Sequence, residues 1–222
     1  MTARTPDSPR RRLLKLGGAA LALSQVPYAH AQQPRARPNL EYFEISPQPV
    51  PQASRIEVIE FFWYGCPYCH QLEPFLEGWL KRKPADVDFK QAPAVFRQSW
   101  IPHTRLFHAL AALGELERLH GAVYRAIHTE GDRLNDAETS AAWAARNGID
   151  RNRFISVYSA PETDRKVEQS IADTRRYDIK GTPSLVVDGR YVTSTGMSES
   201  ISGVIGILDD LIRLARERRA KA

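Results

Sequence analysis

The most constraining feature of this 222-residue sequence is its only pair of cysteines, Cys66 and Cys69, which are separated by two residues. Residues 56–62, just before the pair, are rich in β-branched and aromatic side chains and predict a buried strand. Apolar residues recur at helical spacing over residues 72–80. We therefore expect the cysteines at a strand-to-helix junction, with Cys66 at the start of the helix and Cys69 one turn further along.

This position suits thiol chemistry. The thiolate is the reactive form in disulfide exchange, so a useful cysteine must ionise near neutral pH. Unpaired backbone N–H groups and the helix dipole favour negative charge in the first helical turn, and Pro67 stands where proline fits a helix start. We expect Cys66 to be the exposed sulfur that exchanges and Cys69 to be the resolving sulfur.

Other roles for the cysteine pair fit the sequence less well. Zinc needs four protein ligands, or three and a water, and the sequence has no second cysteine pair. Its histidines at His103, His108, His120 and His128 have no ligand-like spacing, and we place the last three at the polar surface or the core edge. A purely structural disulfide around so short a loop would add little stability. We predict a redox-active pair with no metal and no organic cofactor, because the electrons pass through sulfur.

Residues 1–31 have the features of an export signal peptide. Three arginines at 10–12 precede a short apolar run over residues 16–26, and Ala29-His30-Ala31 is a typical cleavage signal. The arginine cluster resembles a twin-arginine signal, and Sec export is the alternative. Cleavage after about Ala31 would leave a periplasmic protein whose two cysteines have no disulfide framework to build.

The leader also accounts for most of the net charge of +5. Its net charge is +4, so the remaining chain has 26 basic and 25 acidic residues and gives no reason to expect nucleic-acid binding. The charged residues of the leader are Arg4, Asp7, Arg10, Arg11, Arg12 and Lys15.

The rest of the chain alternates between strand and helix patterns. Residues 32–52 predict a lead-in with a short strand at 40–45, and Val87 to Phe89 starts a second strand, with Pro93 after it. Helices are predicted throughout residues 98–177, at 101–113, 116–127, 137–147, 151–159 and 161–177, with Asp136 and Asp150 capping the third and fourth. Asp188-Gly189 joins two short strands into a hairpin, and an amphipathic helix is predicted from Ser198.

Thr182-Pro183, just before the hairpin, is the second chemical feature. A proline at the start of a strand is often only an edge device. In a chain with a CxxC motif it predicts a cis peptide bond beside the sulfurs. The N–H and C=O groups of Thr182 would then be free to pair with an extended substrate peptide.

The order of these elements resembles the thioredoxin fold, and the long helical block resembles the DsbA family of periplasmic thiol:disulfide oxidoreductases. The likeness runs from about Tyr42 to the C-terminus. Its most specific part is Glu60-Phe61-Phe62, then Gly65-Cys66-Pro67, Cys69 and Glu73-Pro74. The resemblance implies an α/β fold in which residues 53–97 and 178–222 form a thioredoxin-like domain and residues 98–177 form an inserted all-helical domain.

The resemblance also implies roles for individual residues. Cys66 would be the sulfur attacked by substrate and Cys69 its partner, while Pro183 would be the cis-proline and Thr182 would contact substrate. Glu60 matches an acidic residue that lies behind the disulfide and modulates the cysteine pKa values and proton movement. The implied partners are the thiols of exported proteins and a DsbB-like, quinone-linked membrane protein, with the enzyme itself a monomer.

Two departures from the family pattern bear on the direction of the reaction. Tyr68 stands where the family usually has a histidine that stabilises the thiolate, which predicts a weaker oxidant; His70 could supply some positive charge instead. Thr182 stands where valine is common. A periplasmic reductase or isomerase working from the dithiol form is therefore one alternative, and a peptide-binding chaperone is a lower-ranked second.

Overall fold

The central strand and the helix after it form as the sequence predicts. The computed structural model describes residues 1–2, 36–50 and 54–221, so the export signal at 1–31 lies, apart from its first two residues, outside the described residues. In the described part, one mixed sheet contains β1 (Phe43–Glu44), β2 (Ile56–Phe62), β3 (Val87–Pro93), β4 (Ser184–Val187) and β5 (Tyr191–Ser194). The described helices are α1 (Pro67–Leu80), α2 (Ile101–Ala112), α3 (Leu116–His128), α4 (Ala137–Arg146), α5 (Arg151–Tyr158), α6 (Pro161–Arg176) and α7 (Gly203–Arg219).

The sheet places β2 in its interior. The strand order is β1-β5-β4-β2-β3, and β2 pairs in parallel with β3 and antiparallel with β4. All seven residues of β2 are buried, as expected for an interior strand. The carboxyl end of β2 leads directly to the cysteines, so the sheet fixes the start of α1.

Hydrophobic packing attaches the cysteines to the helical part of the chain. Cys66 and Cys69 belong to the same buried cluster as Phe62, Leu110 and Trp143, which α2–α5 largely supply. A second cluster packs α1 and α7 against the sheet. The cysteine pair therefore lies where the sheet and the helices between β3 and β4 meet.

The predicted helices between residues 101 and 177 are confirmed to within about two residues at each end. The carboxylates of Asp136 and Asp150 accept hydrogen bonds from the backbone N–H groups of Thr139 and Arg153, at 2.7 and 2.8 Å, and cap α4 and α5 as predicted. In the described residues no helix has the length and apolar character needed to cross a bilayer.

Two predicted boundaries were wrong. The strand that begins at Val87 extends to Pro93, because its half-buried polar residues pair with β2 along its whole length. The last helix begins at Gly203 rather than Ser198. Before it, Ser200 Oγ accepts a hydrogen bond from the Gly203 N–H at 3.0 Å, so the serine-rich segment forms turns that precede the helix.

Candidate active site

The first turn of α1 presents Cys66 at the N-cap position. The backbone of Cys66 is extended (φ −86°, ψ 116°), and its N–H donates to the Trp63 carbonyl at 2.9 Å. Pro67 occupies the start of the helix. The amides of the first turn have no partners within the helix, so they are available to a negatively charged sulfur. The local sequence thus produces the predicted thiolate site.

The two thiols are free in this structure and differ in access. Cys69 is fully buried, while 6% of Cys66 is exposed. The prediction of an exposed Cys66 was therefore wrong, since the residue is buried and its sulfur contacts Thr182. In its thiol form, Cys66 Sγ donates to the Thr182 carbonyl oxygen at 3.2 Å. Of the two sulfurs only Cys66 borders solvent, so an incoming thiolate reaches it first.

The surroundings separate the pKa values of the two thiols. The pKa of Cys66 is lowered to about 6, mainly by a hydrogen bond with the Cys69 side chain and against the opposing effect of burial. Hydrogen bonds with the Thr182 side chain and with the backbone amides of Cys69 and Tyr68 contribute to this lowering. Burial, followed by the neighbouring Cys66, raises the pKa of Cys69 well above its ordinary value. At neutral pH the reduced protein therefore holds one thiolate and one thiol.

We expect the thiolate absorbance of the reduced protein to titrate with a midpoint near pH 6, the pKa of Cys66. Because this pKa lies below the ordinary value of 9.0, ionised Cys66 stabilises the reduced fold fully above pH 9 and the stabilisation is lost as pH falls through about 6. Ultraviolet absorbance against pH measures the midpoint. The Cys66→Ala variant is the control, and a midpoint near 9 would contradict the assignment.

A groove lies beside the sulfurs. The Thr182-Pro183 peptide bond is cis, as predicted. The adjoining cavity has a volume of about 620 Å³, and Tyr68, Thr182, Pro183 and Met197 are among its lining residues. Tyr68 is 57% exposed at the rim. The groove reaches Cys66 through Thr182, whose carbonyl oxygen contacts the Cys66 sulfur.

Glu60 lies on β2 with its side chain fully buried. Its pKa is raised to about 8, mainly by burial and then by the negative charges of Glu73 and Cys66, against a hydrogen bond from Gln91 that lowers it. Gln91 Nε2 donates to Glu60 Oε2 at 2.9 Å. A carboxyl group with this pKa is mostly protonated at neutral pH.

His70 does not supply the positive charge considered above. Its ring stacks on His128 at a centroid distance of 4.9 Å. Burial and then the neighbouring His128 lower the pKa of His70 below its ordinary value of 6.5. His70 is therefore mainly neutral at pH 7, and the Cys66 thiolate depends on hydrogen bonds instead.

Sequence reasoning missed two polar residues of the site, His120 and Gln91. His120 was placed at the surface or core edge, but it is only 5% exposed and contacts Tyr64 and Gln91. The available signal was helical spacing, since His120 lies four residues before the buried Tyr124.

Within the described residues, no group of three or more His, Cys, Asp or Glu side chains could hold a metal ion.

Comparison with known proteins identifies the family. A family model for the DSBA-like thioredoxin domain matches residues 57–202. The thiol:disulfide interchange protein DsbA of Burkholderia cepacia is 38% identical over 210 residues, which cover 93% of this chain and 96% of that protein. The DsbA of Bordetella parapertussis is 38% identical over 204 residues, which cover 91% of this chain and 96% of that protein. The crystal structure of Pseudomonas aeruginosa DsbA, 35% identical, superposes with a TM-score of 0.79 and covers 84% of this chain and 97% of that one. The chain therefore belongs to the DsbA family of thioredoxin-fold proteins and is a thiol:disulfide oxidoreductase.

Proposed function

We propose that the protein works in the periplasm and donates its Cys66–Cys69 disulfide to the thiols of exported proteins. The observation that carries this proposal is the contrast between the two thiols: the pKa of Cys66 is lowered to about 6, whereas that of Cys69 is raised. A sulfur with a low pKa is a good leaving group, so a mixed disulfide through Cys66 readily passes on to the substrate.

The reaction balances without a further reactant. A substrate thiolate attacks Cys66 Sγ, the bond between Cys66 and Cys69 breaks, and Cys69 leaves with the electron pair. Because the pKa of Cys69 is high, its sulfur takes up a proton, which we assign to the carboxyl group of Glu60. A second substrate thiolate then attacks the substrate sulfur and releases Cys66 as a thiolate. The substrate loses two electrons and the enzyme gains them.

Substrate binding is assigned to the groove beside Cys66. Thr182, whose carbonyl oxygen contacts Cys66 Sγ, lines this cavity together with Tyr68 and Pro183. An extended segment in this groove would place its cysteine beside Cys66, and the backbone groups of Thr182 would pair with it. Pro67 would keep the first turn of α1 in place.

The remaining parts of the proposal come from the sequence and the family. The leader at 1–31 supports export by a twin-arginine or Sec route with cleavage after about Ala31. The enzyme would act as a monomer without metal or organic cofactor. A DsbB-like, quinone-linked membrane protein would reoxidise Cys66 and Cys69.

The equilibrium with glutathione tests the direction of the reaction. We expect a reduction potential between about −270 mV, the reference for thioredoxin, and about −120 mV, the reference for a strongly oxidising DsbA. The reason is that Cys66 is stabilised as a thiolate but has no cationic side chain beside it. A potential near that of thioredoxin would instead support the reductase alternative.

The variant Tyr68→His is the matched comparison for this measurement. Tyr68 is exposed and contributes only its backbone amide to the stabilisation of Cys66. A partly protonated histidine at this position would add an attractive charge, lower the pKa of Cys66 and make the disulfide more oxidising. Tyr68→Phe keeps the size without the charge and should leave the potential unchanged.

A further inference from the structure

The turn between β2 and α1 leads directly into the reactive sulfur. The strand ends at Phe62 and the helix starts at Pro67. Between them, the Cys66 N–H donates to the Trp63 carbonyl at 2.9 Å and closes the turn. This bond does not involve the peptide group that joins Tyr64 to Gly65. The direction of that peptide group therefore depends on contacts from outside the turn.

Gly65 makes the turn permissive, and the packing requires a glycine there. A Cβ atom at Gly65 would overlap the indole ring of Trp63. That ring is stacked on Trp100, with the ring centroids 4.2 Å apart, so it is held in place over the glycine. Because glycine restricts the backbone less than any other residue, the turn does not fix the Tyr64 carbonyl by itself.

His128, the last residue of α3, contacts this carbonyl. Its Nε2 lies 2.8 Å from the Tyr64 carbonyl oxygen. A carbonyl oxygen can only accept, so Nε2 carries a hydrogen and donates it, whether the ring is neutral or charged. The ring of His70 lies almost parallel to that of His128, at a centroid distance of 4.9 Å, and supports its orientation.

The other end of Tyr64 is held separately. Its hydroxyl oxygen lies 2.9 Å from His120 Nδ1, and its ring is buried in the same hydrophobic cluster as Tyr124. His120, Tyr124 and His128 follow one another at intervals of four residues along α3. Removal of the His128 side chain would therefore leave the Tyr64 ring and hydroxyl group in place and release only the carbonyl.

We propose that His128 is a positioning residue for Cys66, because it holds the Tyr64 carbonyl and so fixes the turn that sets Cys66 at the N-cap of α1. The inference deepens the proposed function, since it rests on Cys66 as the sulfur that exchanges. The backbone amides of Tyr68 and Cys69 are among the groups that stabilise the Cys66 thiolate. Hydrogen bonds weaken steeply as their angles depart from linearity, so a displaced turn would destabilise the thiolate.

Variants of His128 in the full chain test the proposal, with the ultraviolet thiolate titration of the reduced protein as the measurement. His128→Ala removes the donor, and the titration midpoint should rise by about one pH unit, as expected for the loss of one hydrogen bond. Denaturant unfolding of the same variant reports its stability. A purely structural role would lower the stability and leave the midpoint unchanged, which would overturn the proposal.

His128→Gln and His128→Asn form a matched pair that separates the hydrogen bond from the charge and the ring. Glutamine carries an uncharged amide N–H at about the reach of histidine Nε2 and should restore the natural midpoint. Asparagine carries the same amide one methylene group closer to the backbone, so its midpoint should rise as in His128→Ala. Equal midpoints in the two variants would overturn the proposal, even where His128→Ala does not fold.

His108→Ala is the control for the loss of a histidine hydrogen bond elsewhere in the helical block. His108 Nε2 bonds Ser170 Oγ at 2.9 Å, between α2 and α6, so this variant should keep the natural midpoint. The natural protein separates the two possible failures. A natural midpoint near 9 would contradict the proposed role of Cys66, whereas a midpoint near 6 that ignores His128 would contradict only the positioning role.

Discussion

Cys66→Ser is expected to abolish thiol:disulfide exchange, because the hydroxyl group that replaces the sulfur can form no disulfide with Cys69 or with a substrate. Cys66 is also the only sulfur of the pair that borders solvent and ionises near neutral pH. The fall should reach the uncatalysed rate. The measurement is oxidative refolding of a reduced test protein, with the extent of disulfide formation followed over time.

Cys69→Ser is the matched variant and should give a different result. Cys66 remains able to form a mixed disulfide, but the resolving sulfur is missing, so adducts with substrate should accumulate and be visible by mass spectrometry without reductant. Both variants should fold, since serine is close in size to cysteine. If adducts accumulate in Cys66→Ser instead, the two cysteines have the opposite roles.

The position of the cysteine pair could be predicted because it depends on local pattern. Three local features determine where Cys66 lies, independently of the rest of the chain. They are a buried strand, a proline at the helix start and apolar residues at helical spacing. The helical block was equally predictable, since Asp136 and Asp150 mark helix starts in the sequence.

The burial of Cys66 and the polar contacts of Glu60 could not be predicted, because they depend on contacts between residues far apart in sequence. The Thr182 segment covers Cys66 from 116 residues away. Gln91 and His120 look like ordinary polar residues of a strand and a helix until the fold brings them together at Glu60. The length of β3 was missed for the same reason, since its pairing with β2 overrides its mixed polarity.

Glu60→Gln should raise the stability of the fold and slow the disulfide exchange reaction. The pKa of Glu60 is raised from 4.5 to about 8 in the fold, so the folded state binds one more proton than the unfolded state between these values. Stability therefore falls as pH rises through this window. Glutamine has no charge to bury, and we expect a gain on the order of 3 kcal/mol at pH 7. Denaturant unfolding from pH 4 to 9 measures it.

The pH dependence separates this effect from a general improvement in packing. The gain should be absent below about pH 4.5, grow with pH and level off above about 8. Glu57→Gln is the control, because Glu57 lies on the same strand but on its other face and pairs with Lys90 at 2.6 Å. A gain that does not depend on pH would contradict the raised pKa of Glu60.

The rate should change in the opposite direction to the stability. Glutamine cannot deliver the proton that Cys69 needs when it leaves, so we expect the attack on the disulfide to slow on the order of 10²-fold at pH 7, as for the loss of a general acid. Stopped-flow reduction by a small thiol measures this step. The rate of the natural protein should fall as Glu60 ionises near pH 8, whereas the variant should lack this dependence. If Glu60 destabilises the fold but accelerates exchange, its contribution to the protein is the proton that it delivers. Equal rates in both proteins would show that Glu60 takes no part in the reaction.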